Sequence, residues 1–109
     1  MPYLQLHELI LLKAIVRVLR RKQEPYARIG EVEEEYRAIC SSYGEEPRKH
    51  TQVYEYVNNL KKMGVIEARV SGKGFRGRST LISVMTPLDA LEKQVDELLE
   101  KRIRSRRYV

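Results

Sequence analysis

A mainly helical α+β fold is what this sequence predicts, and three observations carry it. Apolar residues recur at three- and four-residue steps over four separate stretches. After Gly64 the period changes to two, in a pair of short β-rich runs. Between those runs stand Gly72, Gly74 and Gly77, three glycines within six residues, able to supply the positive φ angles of a hairpin tip.

The first stretch runs from about Leu6 to Lys22. Leu6, Leu9, Ile10, Lys13, Val16 and Leu19 form its stripe, widened by Ala14 and Ile15. Its last turn, Arg20-Arg21-Lys22, places cations where a helix dipole favours them, and Pro25 closes it off. A short extended piece, residues 26–29, leads to Gly30. The second helix follows over about residues 31–42, with Val32, Tyr36, Ile39 and Cys40 on one face, acids in its first turn, and Gly44 as the stop.

The third helix spans about residues 48–63 and ends at Gly64. Its core stripe is Val53, Tyr56, Val57, Leu60 and Met63; Arg48, Thr51, Glu55, Asn58 and Lys62 lie opposite, flanked by Gln52, Tyr54 and Asn59. Strands are expected over residues 65–70 and 79–84, with the glycine hairpin 72–78 between them. Pro87 then opens a fourth helix with an apolar stripe of Leu88, Leu91, Val95, Leu98 and Leu99. This order predicts a winged helix-turn-helix: two adjoining helices, the second suited to a major groove, a two- to three-stranded antiparallel sheet as wing, and a C-terminal helix.

One domain is expected over residues 1–109, with its core at about 6–100 and a basic tail at 101–109. Helical periodicity begins so near Met1 that the chain is compatible with a domain cut from a longer protein. The tail either extends the fourth helix towards a DNA backbone or is a disordered cationic end, the latter preferred beyond about Arg104.

Charge points to an acidic partner. Lys and Arg number 21 against 15 Asp and Glu. The surplus is segregated: residues 47–80 hold eight basic residues against Glu55 and Glu67, whereas residues 31–46 net minus five and residues 88–100 net minus four. A positive and a negative face are expected on one small body, the positive one suited to nucleic acid. No apolar run reaches the length needed to span a bilayer, no secretory signal opens the chain, and a cytosolic location is expected.

The candidate contacts fall into two groups. In the hairpin, Lys73, Arg76 and Arg78 project from a narrow tip with Arg69 at its base, suited to a minor groove about 6 Å wide. Phe75 among them is of a type that presses on sugars or wedges a base step. The competing reading is a solvated hairpin whose charges protect a sheet edge. On the third helix, Arg48, Lys49, His50, Thr51 and Gln52 open the helix where bases are nearest, with Asn58 and Lys62 further along the same face. Arg pairs with guanine edges, Gln and Asn with adenine edges, Lys and Thr with phosphates. Tyr54 is open to rim packing or a phosphate hydrogen bond, and Glu55 to a cytosine amino group or repulsion of the backbone.

Other chemistries find little support. Gly72, Gly77, Arg78 and Ser79 nearly spell a phosphate-binding P-loop, but Ser79 opens a β-rich run rather than a helix, and Arg replaces the required Lys. The lone Cys40 belongs to an apolar stripe and excludes an internal disulfide. His7 and His50 have no metal-ligand spacing, and Glu33-Glu34-Glu35 reads as a solvated helix start. No catalytic residue, metal or cofactor is expected.

With Gly30-Glu31-Val32, Glu35-Tyr36-Arg37, the run from Val53 to Leu60, Met63-Gly64-Val65-Ile66, Ser71-Gly72-Lys73-Gly74 and Gly77-Arg78-Ser79-Thr80, the chain resembles the C-terminal winged-helix domain of archaeal replication initiators. These form the origin recognition complex/cell-division-cycle initiator family, and the resemblance covers about Leu6 to Leu99. It implies binding of double-stranded DNA at replication origins, with Arg48 to Asn58 in the major groove and Lys73 to Arg78 on the minor groove and backbone. Other replication proteins become possible partners, and a monomer is expected of such a domain in isolation. The ATPase module of that family has no counterpart here. One departure is Glu33, where the family usually has an aromatic; it is expected to narrow the apolar face of the second helix and to leave the DNA face untouched. Two further readings stand beside this one. A small transcription regulator would dimerise through the leucine stripe of the fourth helix, and a protein-interaction module would use the same surfaces on protein partners.

Overall fold

The computed structural model describes residues 4–71 and 79–107. Four helices and three strands follow in the order α1 (Leu6–Lys22), β1 (Ala27–Arg28), α2 (Ile29–Ser42), α3 (His50–Lys62), β2 (Glu67–Ser71), β3 (Ser79–Ser83) and α4 (Leu88–Arg107). The strands form one antiparallel sheet with β3 in the centre, in the order β1-β3-β2. This is the winged helix-turn-helix that the element order predicts. The predicted hairpin tip, residues 72–78, lies outside the described residues; below it, β2 and β3 are in register from Glu67↔Ser83 to Ser71↔Ser79.

α1 is the centre of the fold, buried on more sides than its stripe suggests. Leu9, Ile10, Leu11, Leu12, Ala14, Ile15, Val16, Val18 and Leu19 are all buried. A helix apolar over so much of its circumference packs against more than one partner, and α1 does, meeting α2, α3 and α4. α4 covers it through Leu91, Val95 and Leu99, each buried. The apolar stripe proposed as a dimer seam is therefore largely engaged within the chain. Ile82 of central β3, with Ala27 opposite it, closes the core from the sheet side.

Helix boundaries differ from the sequence pattern for local reasons. α2 begins at Ile29, two residues before Glu31, because the Glu31 carboxylate accepts the backbone N–H of Arg28 at 3.0 Å and so stops the extended strand there. α3 begins at His50 rather than Arg48: Lys49 is extended, with φ −65° and ψ 157°, so Arg48 and Lys49 lie on the approach to the helix. Its other end closes at Gly64, whose φ of +77° suits glycine, and Val65 N–H returns to Leu60 O at 3.0 Å. That return holds Val65 out of the sheet and delays β2 to Glu67. Met63, placed in the core stripe by periodicity, is 38% exposed because the helix has already ended. At the other terminus, the tail continues α4 as helix to Arg107, which corrects the expected disorder beyond Arg104.

Candidate nucleic-acid interface

The basic segments do not contribute equally to the surface. α1 carries five cations between Lys13 and Lys22, and every one meets a carboxylate. Lys13 pairs with Asp96. Arg17 and Arg21 both reach Glu35, at 3.5 and 3.1 Å, and Arg20 binds Asp89 and Glu92 at 2.7 and 2.8 Å. Lys22 binds Glu31 at 2.9 Å. The hydrogen bond that Arg20 donates to Asp89 raises the Arg20 pKa, and the bond between Lys22 and Glu31 raises the lysine and lowers the carboxyl. The acids of α2 and α4 thus largely neutralise α1, where segment charges alone suggested separate positive and negative faces.

Around α3 the balance is different. Arg48, Lys49, Lys61 and Lys62 are exposed, and none forms an ion pair with a described residue. Thr51, Glu55, Asn58 and Lys62 share the outward face, opposite buried Val53, Tyr56, Val57 and Leu60. The packing of Val53 and Leu60 into the core is what aims that face at solvent. Lys61 was not singled out by the sequence pattern. Together with Tyr54, Asn58, Val70 and Thr80 it lines a groove of about 110 Å³ between α3 and the wing strands. Its spacing of three residues from Asn58 was the available signal.

A buried polar chain fixes how the backbone approaches α3. Arg48 donates its backbone N–H to the Tyr36 hydroxyl at 2.8 Å, and that hydroxyl lies 2.8 Å from His7 Nδ1. His7 Nε2 is 3.2 Å from Glu45 Oε1. Because the Glu45 carboxylate only accepts, Nε2 carries a proton, and in the neutral ring Nδ1 then accepts from the Tyr36 O–H. Burial raises the Tyr36 phenol far above its ordinary range, so it remains a donor. Cys40 sits beside them, Sγ 4.0 Å from His7 Nδ1, with burial raising its thiol as well. His7, beside the helix stripe in sequence, is in fact part of the core.

Two other predicted residues have partners that sequence did not foresee. Arg69 stands opposite Leu81, on the sheet face away from Ile82. There its Nη2 donates to the Tyr26 hydroxyl at 2.9 Å, with the guanidinium 5.0 Å over the Tyr26 ring. His50 donates to Glu33 at 2.7 Å and meets the ring of Tyr54 edge-on at 4.5 Å. Tyr54 is half-buried and packs on the core rim. Glu33 corrects an expectation: it is 7% exposed rather than solvated, and through His50 it does touch the proposed DNA face. Glu55 and Thr51 are exposed, and Gln52 is half-buried. Lys73, Phe75, Arg76 and Arg78 lie outside the described residues. Among the described residues no cluster of His, Cys, Asp or Glu could hold a metal ion, and no helix is long and apolar enough to cross a membrane.

Comparison with known proteins agrees with this architecture. The family described as "CDC6, C terminal winged helix domain" matches residues 1–94. The "ORC1-type DNA replication protein 2" of Saccharolobus solfataricus is 48% identical over 103 residues, 94% of this chain, and that of Aeropyrum pernix is 32% identical. The chain spans only 24% of the length of the Saccharolobus protein. Among solved structures, Cdc6p from Pyrobaculum aerophilum superposes with a TM-score of 0.82 at 40% identity, covering 92% of this chain and 25% of that one. The Aeropyrum pernix ORC1 protein, solved in complex with DNA, superposes with a TM-score of 0.76 at 26% identity over 86% of this chain and 24% of its own. A match across most of its length, joined to four helices and a three-stranded wing in the expected order, makes the chain a member of the CDC6 C-terminal winged-helix domain family.

Proposed function

We propose that this chain binds double-stranded DNA at replication origins, as one domain of a replication initiator. α3 enters the major groove with Arg48, Lys49, His50, Thr51 and Gln52 foremost and Asn58 and Lys62 behind. Lys73, Phe75, Arg76 and Arg78 lie on the minor groove and backbone, and Arg69, held by Tyr26, is the wing's inner phosphate contact. The observation that carries this reading is the uneven pairing of charge. Every cation of α1 from Lys13 to Lys22 is tied to a carboxylate, while Arg48, Lys49, Lys61 and Lys62 around α3 have no such partner among the described residues. Unpaired cations beside an outward polar helix face attract a polyanion along that face. The Aeropyrum protein solved with DNA adds support from the family.

The domain acts as a monomer, alongside other replication proteins, and supplies recognition rather than catalysis. Selection of bound duplexes from a random pool tests this. Recovery of one asymmetric motif, with affinity falling steeply as salt rises, is the expected result. A palindromic motif bound by two copies would replace it with the regulator reading. No salt-dependent affinity for any duplex would end it.

A further inference from the structure

Glu33 is a buried acid on α2 with both oxygens engaged. Its side chain is 10% exposed. Oε1 lies 2.7 Å from His50 Nδ1, and Oε2 accepts from Arg37 Nη2 at 3.3 Å. A carboxylate only accepts, so Nδ1 carries the proton of the His50 bond. Tyr54, one turn further along α3, holds the same ring edge-on, with centroids 4.5 Å apart and planes at 79°. The imidazole is therefore gripped from two helices, yet its side chain remains 58% exposed. The grip leaves Nε2, on the far side of the ring, with no hydrogen bond to any described residue.

We propose that Glu33 is a positioning residue that makes His50 a proton-dependent ligand for a DNA phosphate; this rests on the duplex-binding reading above. The argument is one of donors and acceptors. A ring that bridges the Glu33 carboxylate and a phosphate oxygen stands between two groups that only accept, so it must donate from both nitrogens and is an imidazolium. Wherever the free ring is neutral, forming the phosphate contact takes a proton from solvent onto Nε2, and that ring gains one positive charge beside the phosphate. Among the described residues, the charged and titratable groups beside the ring are Glu33, Glu34 and Arg37 on α2 and Tyr54 on α3 itself, with Arg48 and Lys49 just before that helix in the chain. Glu33 and Glu34 favour the cationic ring, and the three cations oppose it. An added phosphate tips that balance towards the cation. A base amino group, by contrast, would be met by the neutral ring and would take up no proton.

Calorimetry in two buffers of different ionisation enthalpy counts the proton directly. The whole chain is titrated with a mixed-sequence duplex about two helical turns long, in about 0.1 M salt. The wild type is expected to take up part of a proton on binding. Its affinity should fall about three- to tenfold between about pH 6 and pH 8, where imidazoles titrate. His50→Gln should still bind, with no uptake and a flat pH profile. Glu33→Gln, checked for folding by circular dichroism, should take up less than the wild type. Uptake that is absent from the wild type, or unchanged in His50→Gln, overturns the proposal while leaving duplex binding intact. If the wild type binds no duplex at all, the functional reading falls and this proposal falls with it. Should Glu33→Gln not fold, the surface variant His50→Gln decides the matter alone.

Discussion

The Tyr36 hydroxyl on α2 accepts the backbone N–H of Arg48, 2.8 Å away across the turn that leads into α3. Tyr36 is fully buried, and the same hydroxyl reaches His7 on α1. One side chain thus joins three elements at the point where the chain turns towards the proposed DNA face. Tyr36→Phe keeps the ring packing but removes the hydroxyl that bonds both the Arg48 N–H and His7 Nδ1. Stability in urea should fall by about 1–3 kcal/mol, the cost of stranding buried polar groups. An unchanged midpoint would mean that water takes over both bonds.

The pairing of α1 separates its cations from those around α3 as DNA contacts. Arg17→Ala and Arg21→Ala should leave duplex affinity within about twofold, since both guanidiniums already face Glu35. Arg48→Ala and Lys49→Ala should each weaken binding and flatten the log-log salt dependence by about 0.9 for each lost phosphate contact. Fluorescence anisotropy at several salt concentrations measures both quantities.

Gly64 ends α3 with a φ of +77°, and a Cβ there would meet nothing within 4 Å. Gly64→Ala therefore tests backbone strain without a clash. The expected loss is about 1–2 kcal/mol in a urea titration, the usual cost of a left-handed residue other than glycine.

Glu31 links the start of α2 to the end of α1 through Lys22 and also accepts the Arg28 N–H. The Lys22 bond, then the backbone bond, lowers its carboxyl pKa in the folded state. A lowered pKa gives stability that is present above the unfolded value of about 4.3 and disappears as pH falls through the folded one. The side chain is 39% exposed, so solvent screening limits the contribution to below about 1 kcal/mol. Glu31→Gln should be slightly less stable than wild type at pH 7 and converge with it in acid. Thermal unfolding followed against pH reads the convergence.

Residue patterning carried the architecture. Three- and four-residue spacing located α1, α2, α3 and α4, and the shift to alternation after Gly64 located β2 and β3, because side-chain periodicity follows from backbone geometry alone. Helix ends were less legible: Arg48 looks helical until its N–H is seen to bond the hydroxyl of Tyr36, twelve positions earlier. The outward face of α3 was legible through Thr51, Glu55, Asn58 and Lys62, which lie opposite an apolar stripe.

The sequence by itself determined the order of elements, the absence of an internal disulfide and the excess of positive charge. Only tertiary structure decided where that charge is effective. Pairing Arg17 and Arg21 with Glu35, Arg20 with Asp89 and Glu92, and Lys13 with Asp96 requires α2 and α4 to lie against α1, a juxtaposition no local pattern encodes. The role of Glu33 was hidden for the same reason. As one of three consecutive acids it reads as solvated, and it becomes the partner of His50 only when α3 packs beside α2. Coulomb and hydrogen-bond energies depend on distance in space, whereas the sequence records only distance along the chain.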